Sequence, residues 1–172
     1  MAPTLLLRSC ADFEALSPLD TNVLLARAGE LLTSQSVCAE SPGAHQHLLR
    51  GKNIGLLCGP AHAQDGLLFT RAATALGAHV APLRASLAAL GAPAQVQHMA
   101  HVLGRLYDAV ECLGLEPELV RRIGVESGVP VFEGLASSQH PTHQLVRALG
   151  LEAGTDATRC LLIQAVLLSV LG

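Results

Sequence analysis

From residue 53 onward, short apolar runs closed by glycine or proline alternate with longer stretches of helical spacing, and few architectures accept that pattern. Asn53-Ile54-Gly55-Leu56-Leu57-Cys58 is nearly continuous in apolar character and stops at Gly59-Pro60. A strand covered by helices on both faces carries such a run, because neither side meets water. Residues 64–76 have helical periodicity and stop at Gly77, and residues 79–83 read as a second strand. Residues 94–106 read as a helix with Pro93 in its first turn, 107–113 as a strand, 118–126 as a helix ending near Gly128, and 129–132 as a fourth strand. Strand–helix alternation with short loops predicts a parallel sheet joined by right-handed crossovers. The expected fold is therefore α/β, a three-layer α/β/α unit around a four-stranded parallel sheet.

The flanking segments complete the unit. Residues 18–34 read as an amphipathic helix, with Leu19, Val23, Leu24, Ala28 and Leu31 at helical spacing and Ser17 and Asp20 as start signals. Residues 35–50 read as a loop, 142–149 as a helix after Pro141, and 156–171 as a long final helix. A chain of 172 residues suits one domain, so residues 1–172 are read as a single unit with 156–171 packed back on it.

Composition removes several classes of function. Half the residues are apolar and 15% are charged, which argues against disorder. A net charge of −3 without a Lys/Arg run leaves no electrostatic footprint for nucleic acid. The longest oily stretch, 160–171, is too short for a bilayer and is interrupted by Gln164. The first eight residues lack the basic start of a signal peptide. Cys10, Cys38, Cys58, Cys112 and Cys160 sit singly, without CxxC spacing, and read as free thiols in a reducing compartment. The expectation is a cytoplasmic protein with no cofactor, no metal set and no membrane contact.

Four ordered blocks carry a resemblance. Leu49-Arg50-Gly51-Lys52-Asn53-Ile54 leads into the first strand; Phe69, Ala72, Ala73, Leu76, Gly77 and Val80 follow at fixed spacing; then come Leu103, Arg105, Asp108, Ala109 and Val110; the last block is Val129-Pro130-Val131, Gly134-Leu135 and His140-Pro141-Thr142. Together they resemble the carbamoyl-phosphate-binding domain of the aspartate and ornithine carbamoyltransferases. Residues 12–32 and 156–172 are similar to that family's first and last helices. In the family a whole amino-acid-binding domain lies between the HPxQ helix and the last helix. Here only the segment 150–155 stands in that place, so the resemblance implies that the second domain is absent.

The resemblance also locates what has changed. The family grips phosphate with P-S-T-R-T-R at a helix N-terminus, where dipole and charge favour an anion. In register those positions are Ala61, His62, Ala63, Gln64, Asp65 and Gly66, which removes the core hydroxyls and both arginines and adds a carboxylate. A further family arginine falls on Leu113, the family asparagine before Gly-Leu on Glu133, and the glutamine of HPxQ on His143, while His140, Pro141 and Thr142 remain. Each charged hydrogen bond contributes roughly 1.5–3 kcal/mol, so losing two or more removes standard carbamoyl-phosphate chemistry. No catalytic residue is assigned, and by family the reaction would be a carboxyl- or carbamoyltransfer. The candidate remodelled site comprises His62, Ala63, Gln64, Asp65, Gly66, His140, Pro141, Thr142 and His143.

Two readings of the histidines stay open: a new site for a small anion or a metal on His62, His140 and His143, or a remnant His140 among solvated neighbours. His98 and His101 form a further i, i+3 pair, and Cys58 reads as packing rather than as a nucleophile. Family catalytic chains form trimers through this domain, so the resemblance implies a homotrimer or a hetero-oligomer with a carbamoyltransferase. The functional expectation is a pseudoenzyme acting as an oligomeric structural or regulatory protein. The alternatives are a binding module, or residual transfer with a partner supplying the amino-acid domain and with a loop near 84–94 shared across subunits.

Overall fold

The structure, a computed structural model, describes residues 17–37, 45–83, 93–142, 144–145, 150 and 155–172. Their order is α1 (Pro18–Val37), β1 (Asn53–Cys58), a 3-10 turn (Pro60–His62), α2 (Ala63–Ala75), β2 (His79–Leu83), α3 (Pro93–Leu106), β3 (Ala109–Leu113), α4 (Pro117–Ser127), β4 (Val131–Glu133) and α5 (Asp156–Leu171). The four strands form one parallel sheet in the order β2-β1-β3-β4. Ile54 stands beside Val80 on one side and Ala109 on the other, and Cys112 stands beside Glu133.

Both faces of the sheet are covered, which is what the unbroken apolar strands require. On one face Ile54, Leu56, Ala109 and Leu113 pack with Leu24, Leu31, Phe69 and the apolar residues of α5. On the other, Leu57, Val110 and Cys112 pack with Val96 and Leu103 of α3 and Val120 and Ile123 of α4. The three-layer expectation holds. Every residue from Leu161 to Leu168 is buried, because α5 lies against both α1 and α2. A helix enclosed in this way needs no polar face; its one amide there, Gln164 Nε2, donates to the Ala72 carbonyl at 3.2 Å. Thr155 caps α5, its hydroxyl accepting from the Thr158 N–H at 3.2 Å.

Several boundaries differ from the sequence reading. The first helix runs on to Val37, so that the loop expected at 35–50 begins later. Residues 45–50 form turns rather than loose chain, and the Leu49 N–H donates to Leu76 O at 2.8 Å, seating Leu49 in the core. The third strand starts at Ala109, not at residue 107, because Tyr107 N–H still bonds back into α3 at Leu103 O. Asp108 instead ties β3 to β1: its carboxylate accepts from Asn53 N–H at 2.8 Å and its own N–H donates to Asn53 O. The fourth strand is displaced to Val131–Glu133, since Gly128 ends α4 with φ 72° and Pro130 has no N–H to give a ladder. Where a helix was expected at 142–149, Pro141, Thr142, Gln144 and Leu145 take 3-10 geometry; residues 143 and 146–149 lie outside the described residues, as does most of the loop at 84–94. Among the described residues no helix is long and apolar enough to cross a membrane.

Candidate functional site

Parallel sheets present their strand exits and the following helix starts on one edge, where ligands bind in open α/β folds. Here that edge gathers the exits of β1, β3 and β4 around a pocket of about 210 Å³. Its lining includes His62 after β1, Gly114 after β3, and Glu133, Ser137, Gln139 and His140 at and beyond β4. A Gly59 N–H bond to Leu113 O at 3.3 Å holds the first two exits together. Gly114 has φ +75°, and a Cβ on it would fall 2.3 Å from His62 Cδ2. The position therefore suits glycine twice over, and the bare backbone lets the His62 ring lie against it.

Of the residues expected to form the site, His62 and His140 line the same pocket. Pro141 and Thr142 adjoin it. Thr142 N–H donates to His140 Nδ1 at 3.3 Å and Thr142 Oγ1 lies 3.0 Å from the same nitrogen, which assigns Nδ1 as acceptor and a neutral ring its proton at Nε2. Ala63, Gln64, Asp65 and Gly66 make the first turn of α2 and do not line the pocket. His143 lies outside the described residues. His98 and His101 are remote from this edge: His98 sits in an apolar groove with Leu83, Met99, Val102 and Leu106, and His101 is exposed. Among the described residues no three His, Cys, Asp or Glu side chains converge to hold a metal ion.

Gly66 is buried, and a Cβ there would lie 3.1 Å from Cys58 Sγ, so α2 begins in close contact with the end of β1. Cys58 Sγ lies 3.3 Å from the carbonyls of Gly59 and His62. Burial pushes its thiol pKa up, and the Asp65 and Glu111 carboxyls push it further, against a smaller lowering from the Gly66 N–H. A thiol shifted this way ionises less readily than a free cysteine, which weakens it as a nucleophile.

Two charged residues that sequence reasoning did not single out dominate the electrostatics. Arg159, in the first turn of α5, donates from its Nη2 to Asp65 Oδ1 at 2.5 Å and to the carbonyl of Ala136. Both side chains are mostly covered, at 14% and 22% exposure, so the pair is screened far less than a surface one. The other Asp65 oxygen faces His62 Nδ1 at 3.7 Å. The signal for Arg159 was present as a lone cation near the start of an oily helix. Its partner, 94 positions earlier, has no local mark.

Glu111 is the second. It sits fully buried in the middle of β3, and its Oε1 accepts from Ala136 N–H at 3.2 Å, while Oε2 is buried without a hydrogen-bond partner. Burial holds its carboxyl pKa well above the usual carboxylate range, against the opposing pull of the Ala136 and Leu135 N–H groups. The sign follows from linkage: below the ordinary carboxylate pKa both states are protonated, and as pH rises the unfolded chain releases the proton first. Stability is therefore lost from the ordinary range upward until the raised folded value is passed. Glu111→Gln is expected to gain on wild type by on the order of 1 kcal/mol per pH unit across that window. Urea unfolding of both proteins at pH 5 and pH 8 checks it; a difference that does not change with pH contradicts the assignment.

No protein-family profile matches the chain. An ornithine carbamoyltransferase of Cutibacterium acnes is 40% identical over 107 residues, covering 62% of this chain and 32% of that protein. A catabolic ornithine carbamoyltransferase of Streptococcus pyogenes serotype M1 is 40% identical over 103 residues, 60% of this chain and 31% of that one. The chain thus spans about a third of the length of these curated relatives. Among solved structures, the ornithine carbamoyltransferase of Gloeobacter violaceus superposes with a TM-score of 0.57 at 26% identity, over 87% of this chain and 44% of that one. That of Pyrococcus furiosus gives a TM-score of 0.68 over 85% of this chain and 45% of that one, a likeness of fold at 22% identity. Over about 60% of its length in sequence, and in its fold, the chain is similar to part of the ornithine carbamoyltransferases.

Proposed function

We propose that this carbamoyltransferase-like domain has lost catalysis and works in the cytoplasm through contacts with other protein chains, as a homotrimer or in a hetero-oligomer with a carbamoyltransferase. The observation that carries the reading is the Asp65–Arg159 pair. A phosphate-gripping loop needs unspent cationic donors at a helix N-terminus. Here the first turn of α2 carries a carboxylate, and the nearby guanidinium bonds to that carboxylate and to a carbonyl. A dianion would have to displace Asp65 from Arg159 and then sit beside the displaced charge. Residues 61–66 thus form a plugged relic of an anion loop.

The chain is read as one unit over residues 1–172, without an amino-acid-binding domain. Two features support this: only residues 151–154 separate Gly150 from Thr155, and α5 is bound to α2 and to the β4 exit by Arg159 and by Gln164. Calorimetric titration with carbamoyl phosphate, with assays for citrulline and carbamoylaspartate, is expected to register nothing at millimolar ligand. Light scattering of the chain alone and mixed with the host's carbamoyltransferase is expected to reveal a trimer or a joint assembly. Micromolar binding or any turnover overturns the loss of catalysis, and a monomer in both samples overturns the assembly role.

A further inference from the structure

The turns at residues 45–50 pack against the end of α2 and its link to β2, and a cleft of about 510 Å³ runs between them. Gln46, His47 and Arg50 line it from the turns; Thr74, Gly77 and Ala78 line it from the end of α2 and the link. Backbone bonds hold both sides in place. Leu49 N–H donates to Leu76 O and His79 N–H to Lys52 O, each at 2.8 Å. A Cβ on residue 77 would overlap Gln46 O, so glycine is what lets the two segments come together.

The cleft is lined by a guanidinium and an imidazole and by no carboxyl group. None of the ion pairs among the described residues engages Arg50 or His47. Nor does a hydrogen bond among the described residues engage the side chains of Gln46, His47, Arg50 or Thr74. Arg159 is the opposite case, a cation already spent on Asp65 and Ala136 O. A helix C-terminus repels anions through its open carbonyls. Here Ala73 O, Thr74 O and Leu76 O already accept from the N–H groups of Ala78, Gly77 and Leu49. What faces a ligand is one arginine with imidazole, amide and hydroxyl groups beside it. Such a set complements a carboxylate, which a guanidinium receives on two parallel N–H donors.

The shape selects the kind of molecule. Gln46, His47, Arg50 and Thr74 are all exposed, whereas sites for free small molecules bury most of the ligand's surface. A segment crossing an open cleft is held from outside it as well. The volume is room for roughly seventeen waters at about 30 Å³ each, the bulk of about two acidic residues.

We infer that this cleft docks an acidic segment of a partner protein, with Arg50 receiving a side-chain carboxylate and Gln46, His47 and Thr74 meeting the polar groups around it. The inference rests on the reading that the domain works through protein contacts, and it adds the chemistry of the partner's docking segment.

The test is an NMR titration of amide signals in the full chain, at constant pH and ionic strength, with capped tetraglutamate, capped tetraglutamine and succinate. Tetraglutamate is expected to move Gln46, His47, Gly77 and Ala78 and to leave Gly114 and Gly134 in place, while tetraglutamine moves none of them. Arg50→Gln, checked for fold by circular dichroism, should weaken tetraglutamate about fivefold, the worth of an ion pair in a wet cleft. Arg50→Glu should remove the response. No tetraglutamate response at ten millimolar, an equal response to tetraglutamine, succinate bound as tightly as the peptide, or unchanged affinity in both Arg50 variants each overturns the proposal. Light scattering keeps the two readings apart. Assembly without a peptide response overturns the docking cleft alone; a peptide response in a chain that stays monomeric beside the host's carbamoyltransferase overturns the assembly role alone.

Discussion

Leu167→Asp is expected to leave the chain unfolded at room temperature. Leu167 is fully buried among α1, α2 and the sheet, so the substitution removes about 1.5–3 kcal/mol of apolar burial. It also places a carboxyl in that apolar cluster, which costs several kcal/mol more whether the group ionises or is held neutral. A domain is stabilised by about 5–15 kcal/mol in all, and the sum takes most or all of it. Loss of far-ultraviolet helical signal and of dispersed amide resonances would bear this out. A folded variant with a melting temperature near that of wild type would mean that α5 is not the enclosed helix described above.

Arg159→Met should cost about 3 kcal/mol, near the lower end for a broken buried ion pair because both partners keep some contact with water. The loss arises less from the bond itself than from what is stranded: the partly covered Asp65 carboxyl loses its cation, and the Ala136 carbonyl loses its donor. The double variant Asp65→Leu, Arg159→Met should therefore be more stable than Arg159→Met alone, with coupling of at least about 1 kcal/mol. Denaturant melts of wild type, Asp65→Leu, Arg159→Met and the double variant measure it. Additive losses would mean that the two side chains do not act as a pair.

Much of the fold was legible because burial on both faces leaves a plain trace. Ile54, Leu56 and Leu57 are buried as their unbroken run required, and the span 156–171 was read with the bounds the structure gives. The misplaced ends have local causes: Gly128 and Pro130 delay β4, and Asp108 spends its groups on Asn53. The site was legible only in part. His62 and His140 do share a pocket, because topology alone brings β1 and β4 exits to one edge. Arg159 and Glu111 escaped notice because their roles depend on partners distant in sequence. A lone arginine near the start of an apolar helix, or a single acid inside Ala-Val-Glu-Cys-Leu, carries no spacing that would announce either role.

The packing of α1 against α5 bears on how the protein is made. Leu24, Ala28 and Leu31 of α1 belong to the cluster that Leu161, Ile163, Val166 and Leu167 complete. On the ribosome the earlier helix emerges first, at about 5–20 residues per second, and its apolar side finds its cover only after α5 has followed. Contacts of such long reach in sequence slow folding. The nascent chain therefore holds an oily surface open for several seconds, a natural target for chaperones that bind during translation.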